Sequence, residues 1–403
     1  MTDLTTPKSR IQSIDVLRGI VMVIMALDHV RDFFYKANVQ DASTVATDPT
    51  NMATTYPALF FTRWITHFCA PVFFLLSGVS IWMMSRRKTK KELSLFLFKR
   101  GLWIVFVELF IIGLGWTFDP LYHTFILQVM WAIGISMILL SLIVWLPYTV
   151  IFIISLAIIL GHNIMDFPFV SNGIKGSVFA DFAYFGAFKI FQLADNRVAF
   201  LVYAFIPWTA IMMMGYCLGK LYDRQIDQQW RRKFIMTLGI TLTVLFFVLR
   251  FLNIYGDPLP WSQQPRGSIF TFLSFFNVNK YPPSLLFICL MLGPALIILS
   301  LLEKWNNRFT AIFNIYGRVP MFYYILHFYI IHIIAVIVFY ASGYTSKDII
   351  TPGNPFLFRP PSFGVPLWGV YTIWIIVVLV LYPLCKKYNA YKSTHRQWWL
   401  SYV

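Results

Sequence analysis

Charged residues are scarce in this chain, and acidic residues are scarcer than basic ones. Asp, Glu, Lys and Arg make up 12% of the sequence, about half the share usual in a soluble domain. The 17 acidic residues face 33 Lys and Arg residues, which gives a formal net charge of +16. The basic residues are concentrated in short connectors between apolar segments and form no continuous basic face. This distribution argues against a soluble globular domain and against nucleic-acid binding.

Cysteine is also rare, and no sequence motif for nucleotide binding, metal binding or serine hydrolysis occurs. The sequence has no P-loop, GxGxxG, GxSxG or HExxH pattern. The cysteines show no CxxC or metal-ligand spacing, so we expect them to be small buried apolar residues. They are Cys69, Cys217, Cys289 and Cys385. We therefore expect no disulfide framework and no metal cofactor.

Long apolar segments make up most of the sequence. Hydrophobic residue types account for 58% of the chain, and Phe alone contributes 40 residues. Stretches of about 20 apolar residues recur, which is the length that an α-helix needs to cross a bilayer. The sequence therefore predicts an all-α fold, a polytopic integral membrane helix bundle of about ten transmembrane helices in a single domain, 1–403. The predicted spans are 13–36, 57–83, 93–117, 123–146, 148–163, 198–220, 233–253, 281–303, 319–341 and 366–385.

The basic connectors predict the orientation of the bundle. When ten spans are counted, the connectors 85–91 and 220–233 and the tail from 386 all fall on one side. The positive-inside rule places that side, with both termini, in the cytoplasm, and the protein in the cell inner (plasma) membrane. The less basic loops then lie outside; they are 37–56, 164–197, 254–280 and 342–365. Two aromatic stretches there, 178–195 and 268–278, are expected to be interfacial or re-entrant helices.

The first predicted span is apolar but carries ionisable residues near both ends. Arg18 and His29 are about three helical turns apart, so they lie on nearly the same face at a separation of roughly 16 Å. Such side chains are costly within a bilayer unless they face a protein interior or a wet cavity. We therefore expect a polar path along this helix, from Arg18 at the cytoplasmic mouth to His29 in the outer half of the membrane.

His29 is the first candidate for chemistry, because imidazole suits general acid–base work near neutral pH. Asp28 is adjacent and points to another face of the helix, whereas Asp32, about one turn further on, is expected to orient the imidazole ring. The alternative is that His29 only packs against neighbouring helices or hydrogen-bonds to them.

Four further residues are candidates for contacts to an acceptor or a transition state. Arg63 and His67 are four residues apart and share a face near the outer end of the second span. Lys280 precedes the first turn of a span, where a cation opposes the helix dipole, so we expect an anionic partner. His327 lies nearer the middle of its span. Glu108 is an isolated acid in an apolar run, so it needs either a partner or a proton, and the simplest interpretation is a pairing with an Arg or Lys of another helix. Structural roles stay open for all of these residues.

Several of these residues belong to patterns that resemble a known family. The pattern Asp15-x-x-Arg18-Gly19 with His29, and the Phe-Phe-Leu-Leu-Ser-Gly stretch 73–78, resemble multi-pass membrane acyltransferases. Three segments are more specifically similar to bacterial relatives of the heparan-α-glucosaminide N-acetyltransferase family. They are Arg10-Ile11-x-Ser13-Ile14-Asp15-x-x-Arg18-Gly19, Asn279-Lys280-Tyr281-Pro282-Pro283-Ser284, and Gly317-Arg318-Val319-Pro320 followed by His327.

The resemblance implies the donor and its binding residues. The family moves an acetyl group from cytosolic acetyl-CoA, the co-substrate, to an amino sugar on the far side of the membrane. On this interpretation Arg18, Arg100 or Arg318 holds the CoA phosphates by charge-assisted hydrogen bonds. The pantetheine arm then threads inward, and the acceptor is an amino sugar or a glycan hydroxyl.

The resemblance also assigns a role to His29, which takes the proton of the attacking amine or hydroxyl. The chain departs from the family at one point. The lysosomal enzyme uses a histidine in the loop after its first span, whereas this chain has none between His29 and His67. At the position of His29 that enzyme carries an asparagine, while the broader acyltransferase superfamily carries a histidine.

Two other functions remain open at this point. A transporter or flippase of an anionic or sugar-linked solute would use the same polar path without covalent change, although no inverted repeat is visible. A non-catalytic membrane scaffold is the third interpretation. The lipid bilayer is a partner in every case, and the acceptor, transfer to N or O, and a homo-oligomeric state are left open.

Overall fold

Long apolar helices make up most of the computed structural model, which describes residues 11–36, 48–395 and 397–401. Helices of nine or more residues in the described part are α1 Gln12–Phe34, α2 Pro57–Thr66, α3 Cys69–Ser85, α4 Lys90–Phe106, α5 Val129–Ile143, α6 Tyr148–Gly161, α7 Ile206–Leu218, α8 Gln228–Leu252, α9 Ser268–Phe276, α10 Leu285–Leu302, α11 Arg308–Arg318, α12 Pro320–Ala341 and α13 Leu367–Thr394. Shorter α-helical segments are Gly113–Thr117, Pro168–Ser171 and Val178–Ala180. The prediction that the protein is a mostly helical membrane protein is confirmed.

Each of the ten predicted spans coincides with at least one helix, but only some helices are long and apolar enough to cross a bilayer. Six stretches in the described part meet that condition. They are Pro57–Ser85, Tyr148–Asp166, Gln228–Leu252, Leu285–Leu302, Pro320–Ala341 and Leu367–Thr394. The helix Val129–Ile143 is apolar but shorter. The protein is therefore a membrane protein with six clear candidate spans, and the count of ten stays a prediction.

A small β-sheet corrects the all-α prediction. Its strands are β1 Thr124–Leu127, β2 Lys189–Ala194 and β3 Arg197–Leu201, in the order β1-β3-β2. β3 pairs parallel with β1 and antiparallel with β2. Helices were predicted from residues 123 and 198, but these starts are strands. The stretch 178–195 was expected to be an interfacial helix, but it contains short helical turns and then β2. Hydropathy alone missed the sheet because short apolar strands and helix ends have the same composition.

The helix α11 lies between the predicted spans 281–303 and 319–341, where no helix was predicted. It packs closely along α1. A Cβ atom on Gly317 would lie 1.7 Å from the Asp15 carbonyl oxygen, and one on Gly19 would lie 1.8 Å from that of Phe313. Only glycine permits this approach of the two backbones, so the Gly19–Gly317 pair fixes the crossing that places Arg18 beside Arg318.

Three more helix crossings depend on glycines in the same way. In each of them two glycines face each other, and a Cβ atom on either would meet the backbone of the partner helix. The pairs are Gly78 with Gly215 between α3 and α7, Gly101 with Gly134 between α4 and α5, and Gly239 with Gly293 between α8 and α10. Close backbone approach of this kind is how helices gain packing energy in lipid, where apolar burial by itself offers little.

Basic connectors meet at one end of the bundle, here called the basic end. The side-chain contacts there are Gln12 with Asn306, Arg86 with Asp223, Lys90 with the Trp145 carbonyl oxygen, and Arg231 with Glu303. The loops predicted to lie outside meet at the opposite end. Contacts there include Tyr255 with the Leu160 carbonyl oxygen and Arg266 with that of Met52. The helices therefore alternate in direction as the connectors indicated, while the side of the membrane stays a prediction.

Candidate active site

Two neighbouring residues of α1 lie in different surroundings near the end opposite to the basic end. Asp28 and His29 are both buried, and their side chains diverge because adjacent helical positions point about 100° apart. Asp28 faces α2, whereas His29 faces α12 and the segment Gly113–Thr117. The side chains around Asp28 and those around His29 therefore form two separate groups.

The first group, the Asp28 cluster, consists of Asp28, Arg31, Arg63, Thr66 and Tyr281. Asp28 Oδ2 is 2.5 Å from Arg63, and Oδ1 is 2.8 Å from Arg31 and accepts a hydrogen bond of 2.9 Å from Thr66 Oγ1. Arg63 also donates to the Tyr281 hydroxyl at 3.3 Å. Both oxygens of Asp28 are therefore occupied, and this carboxylate anchors two arginines rather than the imidazole of His29.

Asp32 is paired in the same way. Its Oδ1 accepts a hydrogen bond of 2.5 Å from Arg31, and its carbonyl oxygen accepts one from Arg359. His29 Nδ1 has no hydrogen-bond partner among the described residues. Because Arg31 holds the Asp32 carboxylate and no hydrogen bond joins it to His29 Nδ1 in the described part of the chain, the role of Asp32 in orienting the imidazole stays a prediction.

Lys280 reaches the Asp28 cluster from the turn before α10. Its side chain is buried, and Nζ lies 5.1 Å from the ring centre of Tyr281 and 5.9 Å from that of Tyr203. It also acts electrostatically on Asp28. Asp28 has two arginine partners and forms no ion pair with Lys280 among the described residues, so the anionic partner expected for Lys280 stays a prediction.

The turn that carries Lys280 is held in place by the carboxylate of Asp257. Asp257 Oδ2 accepts hydrogen bonds from the Asn279 amide at 2.8 Å and from Ser284 Oγ at 2.7 Å. His162 Nε2 lies 2.8 Å from the Pro283 carbonyl oxygen. These contacts fix both ends of the turn. Residues far away in the sequence therefore hold Lys280 and Tyr281 in position next to α1.

His67 lies next to the Asp28 cluster, just after α2. It is buried against the ring of Phe287, with 5.6 Å between ring centres, and its Nδ1 has no hydrogen-bond partner among the described residues. Arg63, one turn earlier, acts electrostatically on it. Arg63 is partly buried and His67 is buried, and the spacing had predicted only that the two share a helix face.

The second group, the histidine cluster, consists of His29, Trp116, Tyr324, His327 and Phe328. The ring centre of His29 lies 4.5 Å from that of Phe328, 5.2 Å from those of Trp116 and His327, and 6.4 Å from that of Tyr324. His327 is fully buried and its Nδ1 faces the Tyr323 carbonyl oxygen at 3.2 Å. Two histidines from different helices therefore meet in an aromatic surrounding.

Several buried polar atoms of this region have no hydrogen-bond partner in the described part of the chain. They are His29 Nδ1, His327 Nε2, Trp116 Nε1, Tyr323 Oη and Tyr324 Oη. Buried polar atoms are almost always hydrogen-bonded, because leaving one unpaired costs about 1–3 kcal/mol. A concentration of such atoms indicates a place for a polar ligand, water or a reacting group.

A second polar place lies at the basic end. A cavity of about 200 Å³ is lined by Gln12, Asp15, Asn314 and Arg318. Arg318 Nε and Asn314 Oδ1 are buried without a hydrogen-bond partner among the described residues. Arg18 lies beside this cavity and donates to Asp15 Oδ1 at 2.8 Å. Two of the three arginines predicted to bind the donor are thus brought together.

The third arginine, Arg100, lies elsewhere. It belongs to α4, whose main packing partner is α5, whereas Arg18 and Arg318 belong to the packed pair α1 and α11. The sequence ranked the three arginines equally, because nothing in their local patterns shows which helices pack together.

The polar path expected between Arg18 and His29 is not continuous. Met22 and Met25 occupy the same face of α1 between them, and both are buried in the apolar core. Unbranched methionine side chains adapt their shape easily. The two polar places are therefore separated by flexible apolar side chains.

Sequence reasoning missed Tyr324, Trp116 and Tyr281. A weak signal existed for Tyr324, which precedes His327 by three residues and so shares its helix face. Tyr281 stands beside Lys280 in the motif 279–284 but was not singled out there, and Trp116 carried no signal because it reaches the site from another segment of the chain.

Fold and site together describe a polytopic helical membrane protein with a buried histidine pair and a basic polar cavity at one end. The family model for the heparan-alpha-glucosaminide N-acetyltransferase catalytic domain matches residues 10–255, more than half of the chain. The chain therefore belongs to this family of membrane acyltransferases, and the predicted resemblance is confirmed. A search of curated proteins found no match. The matched range contains His29 and Arg63 but ends before Lys280 and His327.

Proposed function

We propose that the protein transfers an acetyl group from acetyl-CoA to an amino sugar or a glycan hydroxyl across the cell inner (plasma) membrane. One observation carries the proposal. In a member of an acyltransferase family, His29 is buried and its Nδ1 has no hydrogen-bond partner among the described residues, and it lies on the same helix as Arg18, about three turns away. A base and a cationic group on one helix suit a donor that enters at one end and an acceptor that enters at the other.

The donor binds at the basic end, which lies in the cytoplasm under the positive-inside rule. Arg318 and Asn314 line the cavity there, and the buried atoms Arg318 Nε and Asn314 Oδ1 have no protein partners among the described residues. Arg18 and Arg318 supply charge-assisted hydrogen bonds to the CoA phosphates. The pantetheine arm runs along α1 and displaces the flexible side chains of Met22 and Met25.

The transfer takes place at the histidine cluster. The lone pair of the acceptor nitrogen or oxygen forms a bond to the thioester carbonyl carbon, and His29 takes the proton that the acceptor loses. The C–S bond then breaks, and the CoA thiolate leaves and receives a proton. Trp116 Nε1 and the Tyr324 hydroxyl are donors without a hydrogen-bond partner in the described part of the chain, so they suit the oxyanion formed in between.

The Asp28 cluster contacts the acceptor. Arg63 and Lys280 present positive charge beside buried His67, so they suit hydroxyl and ring oxygens of a sugar. His327 packs against His29 and fixes the position of its ring. In this scheme Asp28 and Asp32 neutralise arginines and take no part in proton transfer.

The test is acetyl transfer by the full-length protein in proteoliposomes. Acetyl-CoA with a labelled acetyl group is supplied at the basic end, and glucosamine or a short glucosaminide is supplied on the other side. We expect labelled acetyl on the acceptor with the wild type, and a loss of roughly 10²-fold or more in His29→Ala, since a general base contributes about that much.

The matched control is His395→Ala, because His395 is exposed at the end of α13 and bonded only locally. It should retain wild-type transfer. An unmodified solute that crosses the vesicle membrane without acetyl transfer would replace the proposal by a transporter. Full acetyl transfer in His29→Ala would remove His29 from the mechanism.

A further inference from the structure

A short stretch of the loop before α13 covers the histidine cluster at the end opposite to the basic end. This stretch, residues 356–359 and here called the strap, takes no part in the scheme above. The ring centre of Phe356 lies 5.7 Å from that of Trp116, which packs against His29. His29 is itself only 7% exposed. The strap therefore lies over the aromatic rings that enclose the candidate base.

On one side the strap is attached to the segment that carries Trp116. The Leu357 amide donates to the Thr117 carbonyl oxygen at 3.1 Å. The two ring nitrogens of His332, on α12, lie 3.2 Å from the Leu357 carbonyl oxygen and 3.0 Å from that of Gly115. A neutral imidazole has a single N–H and can donate to only one of these two oxygens. The attachment through His332 is therefore incomplete while the ring is neutral.

On its other side the strap is attached to α1. Arg359 is buried and donates to the Asp32 carbonyl oxygen, and its guanidinium carbon lies 5.2 Å from the ring centre of Phe33. The Asp32 side chain is 32% exposed and pairs with Arg31 of the Asp28 cluster. The strap therefore connects α1 with the segment Gly113–Thr117, and it does so beside the cluster to which the proposed function assigns the acceptor.

The backbone conformation of the strap depends on these contacts. Phe358 has a φ of 60°, in the left-handed region that a bulky side chain rarely adopts. Glycines with positive φ stand on both sides of the strap, Gly353 at 78° and Gly364 at 133°. Glycine adopts such conformations without a steric penalty. A strained residue between two permissive ones suits a segment that leaves its place when a ligand replaces its contacts.

We propose that the strap is the gate through which the acceptor reaches His29, and that it opens between α1 and the segment Gly113–Thr117. This inference rests on the proposed acetyl transfer. Opening exchanges the hydrogen bonds of Leu357 and the ring contacts of Phe356 for contacts to the acceptor. Closing afterwards excludes water from the thioester. Because the donor cavity is at the opposite end, the gate controls the acceptor and leaves acetyl-CoA binding unaffected.

The experiment locks the strap by a disulfide in the full-length protein that carries both Thr117→Cys and Leu357→Cys. The hydrogen bond between these two residues places their backbones as close as a disulfide requires. The native cysteines are all buried and do not compete. With glucosamine as the acceptor in proteoliposomes, we expect oxidation to remove acetyl transfer and a reductant to restore it. The Kd of acetyl-CoA, from calorimetry in detergent, should be the same in both states.

The matched control is a second disulfide, between Gln192→Cys and Val198→Cys, which are register partners in the hairpin of β2 and β3. Its oxidation should leave acetyl transfer unchanged. A further variant does not depend on cross-linking. Phe356→Ala removes the ring that packs on Trp116 and so raises the open fraction of the strap. Since only the open state admits the acceptor, KM for glucosamine should fall while KM for acetyl-CoA stays constant.

The outcomes are distinct. No acetyl transfer by the wild type would overturn the proposed function and this inference with it. Wild-type transfer together with equal rates in the oxidised and reduced forms of the Thr117→Cys, Leu357→Cys protein would overturn this inference alone. A loss of acetyl-CoA binding on oxidation would do the same, because a gate for the acceptor leaves the donor site intact. If the disulfide does not form, an unchanged or higher KM for glucosamine in Phe356→Ala would overturn the inference equally.

Discussion

Asp28 and His29 are neighbours in the chain, yet the bonding partners of their side chains differ. The partners of Asp28 indicate a structural role, and the surroundings of His29 indicate a chemical one. The carboxylate of Asp28 forms ion pairs with two arginines and accepts a hydrogen bond from a threonine. The imidazole of His29 is surrounded by aromatic rings, and its Nδ1 has no hydrogen-bond partner among the residues that the structure describes. A saturated buried group holds helices together, whereas an unsaturated one retains the capacity to bind or to exchange a proton. The two clusters therefore predict opposite consequences of mutation.

The largest effect on stability is expected from Asp28→Ala. This change leaves Arg31 and Arg63 as buried cations without their shared partner, and breaking a buried pair from one side costs about 3–5 kcal/mol. The free energy of unfolding in mixed micelles, from an SDS titration, measures the loss. Asp195→Ala, at an exposed position in the turn between β2 and β3, is the control and should change little. Equal stability of the two variants would contradict the assignment of Asp28 as an anchor.

A smaller effect is expected from Asp257→Ala, which extends the comparison to the turn before α10. Two hydrogen bonds that fix Asn279 and Ser284 are lost, so the free energy of unfolding should fall by about 1–3 kcal/mol. Because Lys280 then loses its fixed position, KM for the acceptor should rise while KM for acetyl-CoA stays constant. Asp348→Ala is a suitable control, since Asp348 caps an exposed turn elsewhere at the same end. An unchanged acceptor KM would separate Lys280 from acceptor binding.

The smallest effect is expected from Arg318→Gln at the basic end. Loss of one charge-assisted contact to a CoA phosphate should raise KM for acetyl-CoA about tenfold, or ~1.4 kcal/mol, with little change in kcat. The increase should shrink at high salt, because screening weakens the contact in the parent protein as well. Arg308→Gln, at the exposed start of the same helix, provides the comparison and should leave KM unaltered. If both variants behave alike, the cavity beside Arg318 does not bind the donor.

The candidate site was predictable in its first helix and less so elsewhere. The eleven-residue spacing of Arg18 and His29 placed both on one face of α1, since helical geometry is local. The Arg63 and His67 pair followed from the same rule. The order of helices in the bundle is not local, so the sequence could not show that His327 meets His29 or that Arg100 lies apart from Arg318.

The sequence also could not show which side chains pair with the buried acids. Sequence spacing made Asp32 the natural partner of His29, but the guanidinium of Arg31 forms a stronger interaction with that carboxylate. Glu108 was expected to find a cation and instead accepts a backbone amide at a π-turn. The β-sheet escaped notice because its strands are as apolar as the helix ends beside them.

Composition and periodicity determined by themselves that this chain is a helical membrane protein, that its basic connectors alternate with apolar spans, and that α1 carries ionisable groups along one face. These properties depend only on residue type and on the local geometry of a helix. Tertiary structure alone decided which buried groups are saturated, because hydrogen-bond partners come from helices far apart in sequence. Within the described part of the chain, it gave Asp28 partners for both carboxylate oxygens and left His29 and Glu108 each with an atom that has no hydrogen-bond partner, which distinguishes the anchor from the candidate base.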